Sequence, residues 1–217
     1  MDMIDLNGDW QVREGENAQK MPARVPGDIH LDLMAADQIP DPFYRDNEEK
    51  LMWIGERDWV YSRSFNVDAE HLQRERVVLQ CEGLDTLAEV SINGHHVGSA
   101  DNMFRTWEWD VKDYLEKGEN TIEVWFKSVF PEIERLQAER YYLTGGGPVR
   151  HEGGCQVRKE PCNFGWDWGP RCVTCGIWRP IRLVALDHAR LSDVQLHQEH
   201  EENEVELTIE VAAENIK

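Results

Sequence analysis

Apolar and polar residues alternate with a period of two along most of this chain, and that alternation predicts strands. Trp59, Tyr61, Phe65 and Val67 share one face of a strand whose apolar run Arg63 interrupts, and Val77, Leu79 and Cys81 repeat the pattern. Leu87–Ile92 alternates into Asn93-Gly94, the strongest short hairpin signal, and His95-His96-Val97-Gly98 begins the returning strand. Trp107, Trp109 and Val111 alternate with Thr106, Glu108 and Asp110. Gly118-Glu119-Asn120 then turns the chain into Thr121–Lys127, where Ile122, Val124 and Phe126 face one way. Ile181, Leu183 and Ala185 finish a further strand, and Asn7–Arg13 reads as a turn entering a short one.

Helical spacing is rarer. Asp28 is placed to cap a short helix running to about Ala36, with Ile29, Leu33 and Ala36 on one face. Pro131–Tyr141 starts on a proline and carries Ile133, Leu136 and Arg140 at helical spacing, followed by the flexible loop Thr144–Pro148. Ile39–Lys50, rich in Pro, Asp, Asn and Glu, reads as irregular surface that Leu51–Ile54 anchors to the body. Six or more strands with few helices predict an all-β antiparallel β-sandwich of Greek-key or jelly-roll topology. Leu191–Leu196 and Val205–Val211 form a last pair of strands around the acidic, solvated turn Glu199–Glu204. Two strands cannot bury a core alone. Residues 1–188 are therefore expected to form the first sandwich, and 189–217 the first strands of a truncated second one, which makes the chain a fragment.

The composition fits that picture: 217 residues, 41% hydrophobic and 30% charged, suit a soluble fold. A net charge of −19 repels phosphate backbones and argues against nucleic acid. No run approaches the ~18 apolar residues of a membrane span. The N-terminal residues Met1–Leu6 carry neither a basic nor an apolar signal region, and five cysteines show no paired framework. Both point to a reducing, cytoplasmic setting. Cys172 and Cys175 have metal or redox spacing, with Cys155 and Cys162 nearby, but no second Cys-x-x-Cys or His pair completes a site. Reduced structural thiols, with no metal and no cofactor, are expected.

Candidate chemistry concentrates in Phe164-Gly165-Trp166-Asp167-Trp168-Gly169-Pro170. Gly and Pro exclude a regular helix and predict a shaped loop. Indole faces beside a carboxylate suit a sugar, whose CH face stacks on a ring while its hydroxyls donate to the carboxylate. On the residues alone, a core role for Trp166 and Trp168 and a turn-capping role for Asp167 is the commoner arrangement. Elsewhere Asp85, beside Thr86, reads as a turn-stabilising carboxylate and not a catalytic one. His95 and His96 point to opposite strand faces and read as exposed turn residues, not a metal pair. Trp107 and Trp109 read as packing under the second sheet, in preference to a sugar-stacking platform.

Gly83–Gly94, Asn102-Met103-Phe104-Arg105 and Tyr114–Asn120 resemble the sugar-binding domain of β-mannosidases, which group with β-galactosidases and β-glucuronidases among retaining glycoside hydrolases. Phe164–Arg171 followed by Gly176-Ile177-Trp178-Arg179-Pro180 is similar to the same family and favours its mannosidase branch; the likeness covers about Leu6 to Leu186. The resemblance implies a jelly-roll, galactose-binding-like domain, followed by an immunoglobulin-like sandwich and a (β/α)₈ barrel. Retaining hydrolysis uses two carboxyl groups about 5–5.5 Å apart. By resemblance both lie on the barrel, so no residue here is expected to be catalytic. What the resemblance gives this chain is a loop over the barrel mouth, with Trp166 and Asp167 in the terminal-sugar subsite of a β-mannoside. Trp168 lies beside them, and Arg158 and Lys159 match the family's basic pair. An autonomous carbohydrate-binding module and a purely structural domain are the competing readings. The module predicts sugar binding by the chain alone.

Overall fold

Two antiparallel sheets face each other across one apolar layer, as the alternation requires. The computed structural model describes residues 2–16, 18–142 and 151–216; the expected 144–148 loop lies outside the described residues. The first half contains β1 (Asp2–Asp5), β2 (Gly8–Glu14), β3 (Met21–Val25), α1 (Ile29–Ala35), α2 (Asn47–Lys50), β4 (Trp59–Val67), α3 (Ala69–Gln73), β5 (Arg76–Cys81), β6 (Leu84–Asp85), β7 (Leu87–Ile92) and β8 (His95–Ala100). The second half contains β9 (Trp107–Asp110), β10 (Gly118–Lys127), α4 (Phe130–Glu139), β11 (Gly176–Ile177), β12 (Ile181–Leu186), β13 (Ala189–His200) and β14 (Val205–Asn215). One sheet has the order β3-β2-β4-β10-β7-β8 and the other β1-β12-β5-β9; β6 pairs with β11, and β13 with β14.

The core is made of the inward half of each alternation. Tyr61 pairs with Val124, which pairs with Val90, and all three are fully buried. Leu79 and Leu183 face them from the four-stranded sheet. Tyr61 and Phe126 meet edge to face at 5.7 Å, a geometry that adds to their burial. Arg63 falls on the core-facing register and still finds partners, because its guanidinium donates to the carbonyls of Leu6 and Asn7. Asn93 and Gly94 take positive φ of 51° and 79° and close the β7–β8 hairpin. Asp28 caps α1, accepting from the His30 and Leu31 amides at 2.9 and 3.2 Å. Leu51 and Ile54 are buried, and the Ile54 carbonyl accepts from the Trp59 indole.

Some details differ from expectation. Residues 39–50 include the one-turn helix α2, and two strands without clear alternation appear at β1 and β3. β3 carries Pro22, which is tolerated because β3 is an edge strand. Trp107 and Trp109 belong to the second sheet itself, half-buried against the core with parallel rings 6.0 Å apart. His95 and His96 are exposed; His95 stacks on Tyr114, and His96 faces the Glu89 carboxylate at 2.6 Å. The β13–β14 hairpin is longer than its apolar runs indicate. Its base is tied to the sandwich by ion pairs, Arg190 to Glu108 at 2.6 Å and Arg76 to Glu214 at 2.9 Å. Ile216 packs there on Val78, Val184 and Leu186.

Candidate functional site

The loop between α4 and β11 is built outward from one buried ring. Phe164 is 2% exposed and packs with Val129, Ile133, Val157 and Val173, beneath α4. Gly165 follows with φ of +104°, a left-handed conformation that a side chain would strain, and the chain turns outward there. The Trp166 amide reaches back to the Gly169 carbonyl at 3.4 Å and closes the tip. Trp166 and Trp168 are 37% and 70% exposed, with ring centroids 6.0 Å apart and planes inclined by 38°. Asp167 is exposed between them, and among the described residues no donor reaches its carboxylate. The tip thus presents two indoles and one acceptor-only group to the outside. That is the reverse of the core arrangement that composition alone favours.

Arg158 and Lys159 part company in the structure. In an extended segment neighbouring side chains point to opposite sides. Arg158 is exposed, while its backbone bridges to Asn102 and its carbonyl accepts from the Met103 amide. The Lys159 side chain is 0% exposed. Its ammonium donates to both Asp85 oxygens, at 2.7 and 2.6 Å, and to the Thr174 carbonyl at 2.7 Å. An ammonium has three protons and all three are taken, so in this arrangement Lys159 has none left for a substrate. Asp85 is likewise no turn-stabilising carboxylate: it lies on β6, is 3% exposed and also accepts from the Thr86 hydroxyl.

Two contacts of the loop escape sequence reading. The Arg171 amide donates to the Glu48 carboxylate at 2.6 Å, so the irregular 39–50 segment supports the loop. The Thr174 hydroxyl donates at 3.0 Å to Asp28, which thereby serves both α1 and the loop.

Several thiols lie in and beside this loop. All five cysteines are free. Burial pushes the Cys172 thiol up to about 11, helped by the Glu48 and Asp28 carboxylates, and raises the Cys175 thiol well above its ordinary range. Both stay protonated at neutral pH, and the thiolate is the nucleophile and metal ligand. Among the described residues no cluster of three His, Cys, Asp or Glu side chains is arranged to hold a metal. A groove of about 630 Å³ lies away from this loop, over Ser62, Ser64, Ser91 and Thr121 on the outer face of the six-stranded sheet.

Known proteins resemble this chain along nearly its whole length. The β-mannosidase of Rattus norvegicus is 34% identical over 214 residues, which are 96% of this chain and 24% of that protein. A β-mannosidase B of Aspergillus fumigatus is 33% identical over 97% of this chain and 26% of its own length. The crystal structure of the β-D-mannosidase from Dictyoglomus thermophilum superposes with a TM-score of 0.92 at 37% identity, over 99% of this chain and 26% of that one. A β-D-glucuronidase from the same organism, at 17% identity and a TM-score of 0.59, shares the fold. The chain spans about a quarter of the length of the β-mannosidases it matches. Residues 10–179 match the glycosyl hydrolase 2 galactose-binding domain-like family. With that match spanning most of the sandwich, the chain belongs to this family.

Proposed function

We propose that this chain is the N-terminal sugar-binding domain of a β-mannosidase, an enzyme that removes terminal non-reducing β-D-mannose. In this reading the Trp166-Asp167-Trp168 tip completes the terminal-sugar subsite. The observation that carries it is the tip itself, an exposed carboxylate between two exposed indoles on a loop anchored by Phe164. Asp167 accepts hydrogen bonds from sugar hydroxyls, and Trp166 gives the ring a wall. Trp168 and the exposed Arg158 border the same subsite. The acid/base and nucleophilic carboxylates belong to a (β/α)₈ barrel that follows an immunoglobulin-like domain, and this chain contributes binding and bracing. A cytoplasmic location goes with this reading, supported by the five free thiols.

The test is Asp167→Ala in the full-length enzyme. A ligand hydroxyl that loses its charged acceptor costs about 2 kcal/mol, so kcat/KM for an aryl β-mannoside should fall roughly 30-fold. The melting temperature should not move, because the side chain is exposed. Unchanged kcat/KM would leave the domain a structural brace. The purified 217-residue chain should show no turnover. If it bound mannose by itself and lost this in Trp166→Ala, it would be an autonomous carbohydrate-binding module.

A further inference from the structure

Lys159 and Asp85 are buried together in a place that substrate contact does not explain. We propose that they form a clasp that positions the Trp166-Asp167-Trp168 tip, with Lys159 a positioning residue for the site and not a ligand contact. The proposal rests on the subsite reading above.

The geometry is that of one cation closing a loop. Lys159 lies on the incoming leg and Thr174 on the outgoing leg, and the tip is carried between them. Asp85 belongs to neither leg: it sits on β6, held in register against Gly176 of β11. The Lys159 ammonium joins its own leg to the other two, spending two protons on the Asp85 carboxylate and one on the Thr174 carbonyl. Each leg has a second fastening to a different element. Glu160 donates its amide to the Met103 sulfur at 3.0 Å, and the Thr174 hydroxyl donates to Asp28 at the head of α1.

Energetics favour a positional role over a purely stabilising one. Withdrawing two charges from water costs much of what their attraction returns, so a buried pair adds little net stability compared with apolar residues of the same size. What such a pair does supply is direction, because three short, charge-assisted bonds fix where both legs run. A carboxylate that must meet particular sugar hydroxyls needs a frame of that accuracy.

The test uses the full-length enzyme with the paired variant Asp85→Asn/Lys159→Met, which leaves no orphan charge in the interior. Hydrogen exchange of peptides covering 160–173 should quicken by about tenfold or more, while β4 and β10 keep their protection. Then kcat/KM for an aryl β-mannoside should fall by about tenfold, and adding Asp167→Ala should cost less than about threefold further, because residues acting as one unit are not additive. Unchanged loop exchange overturns the proposal, as does full multiplication of the two losses. If Asp167→Ala alone has no effect on kcat/KM, the subsite reading fails, and the clasp is then judged on exchange alone. Should the paired variant not fold, Asp85→Asn, which keeps the shape but removes the charge that the Lys159 ammonium holds, replaces it. Looser exchange confined to the loop supports the clasp, and unchanged exchange overturns it.

Discussion

Asp32 is a carboxylate whose surroundings oppose its charge. It is 4% exposed, accepting from the Tyr61 hydroxyl at 2.6 Å and from the Arg24 amide at 2.8 Å. Burial outweighs those bonds and raises its pKa to about 6. In the unfolded chain the group titrates near ~3.9, so the folded protein holds its proton to higher pH. Its contribution is therefore fully present below about pH 4 and lost as pH rises through 6, a change of roughly 3 kcal/mol. His30 runs the other way: burial lowers its pKa, so its contribution is lost as pH falls. Asp32→Asn keeps the shape without the charge. Its melting temperature should gain on the parent as pH rises from about 4 to 7 and lose that advantage at the acid end. Parallel curves would mean that Asp32 does not carry this linkage. Such effects are not legible in sequence, because they depend on burial and on partners far along the chain. Lys159 and Asp85 are 74 residues apart, and no local period connects them. The Phe164–Pro170 stretch was legible as a shaped loop because its glycines and proline lie close together in sequence, whereas the exposure of Trp166 and Trp168 was not.

At the scale of elements, legibility follows the strength of the local code. The β7–β8 hairpin was readable because Asn93-Gly94 supplies the two positive φ values that a two-residue turn demands. The α1 cap was readable because Asp28 bonds within its own turn. β1 was not, since Asp2–Asp5 is a short edge strand whose pairing with β12 comes from the far end of the sandwich. Gly98 shows how two elements depend on each other. It lies on β8 under the Trp109 indole of β9, and a Cβ there would stand 2.0 Å from Nε1. The ring is stacked on Trp107 and has little room to retreat. Gly98→Ala should therefore destabilise the fold by about 1–3 kcal/mol, the usual cost of overpacking. The melting temperature should drop by several degrees, and tryptophan emission should move to longer wavelength as β9 lifts. An unchanged emission maximum with an unchanged melting temperature would show that β9 yields freely.

At the scale of the whole molecule, the β13–β14 hairpin is the element whose burial is incomplete. Its register sets Leu196 against Ile209 and Val194 against Val211, gathering apolar side chains on one face and leaving Gln195, Glu199, Glu206 and Glu210 on the other. Leu196 and Ile209 are 57% and 55% exposed. A contiguous apolar face of this kind drives association when nothing covers it. Opposing it is the net charge of −19, which keeps copies apart at low salt. The balance should shift with screening, whose length falls from about 10 Å at 0.1 M to about 3 Å at 1 M. The 217-residue chain should thus sediment as a monomer near 0.05 M salt and associate near 0.5 M, about three-fold apart in Debye length. Leu196→Glu/Ile209→Glu should remain monomeric at both. Monomeric parent at high salt, or association that the double variant does not abolish, would remove the hairpin face as its cause. If, as proposed, the rest of an immunoglobulin-like sandwich covers this face in the full-length enzyme, the two substitutions should lower its melting temperature instead. On that proposal the hairpin is adhesive alone and stabilising in place.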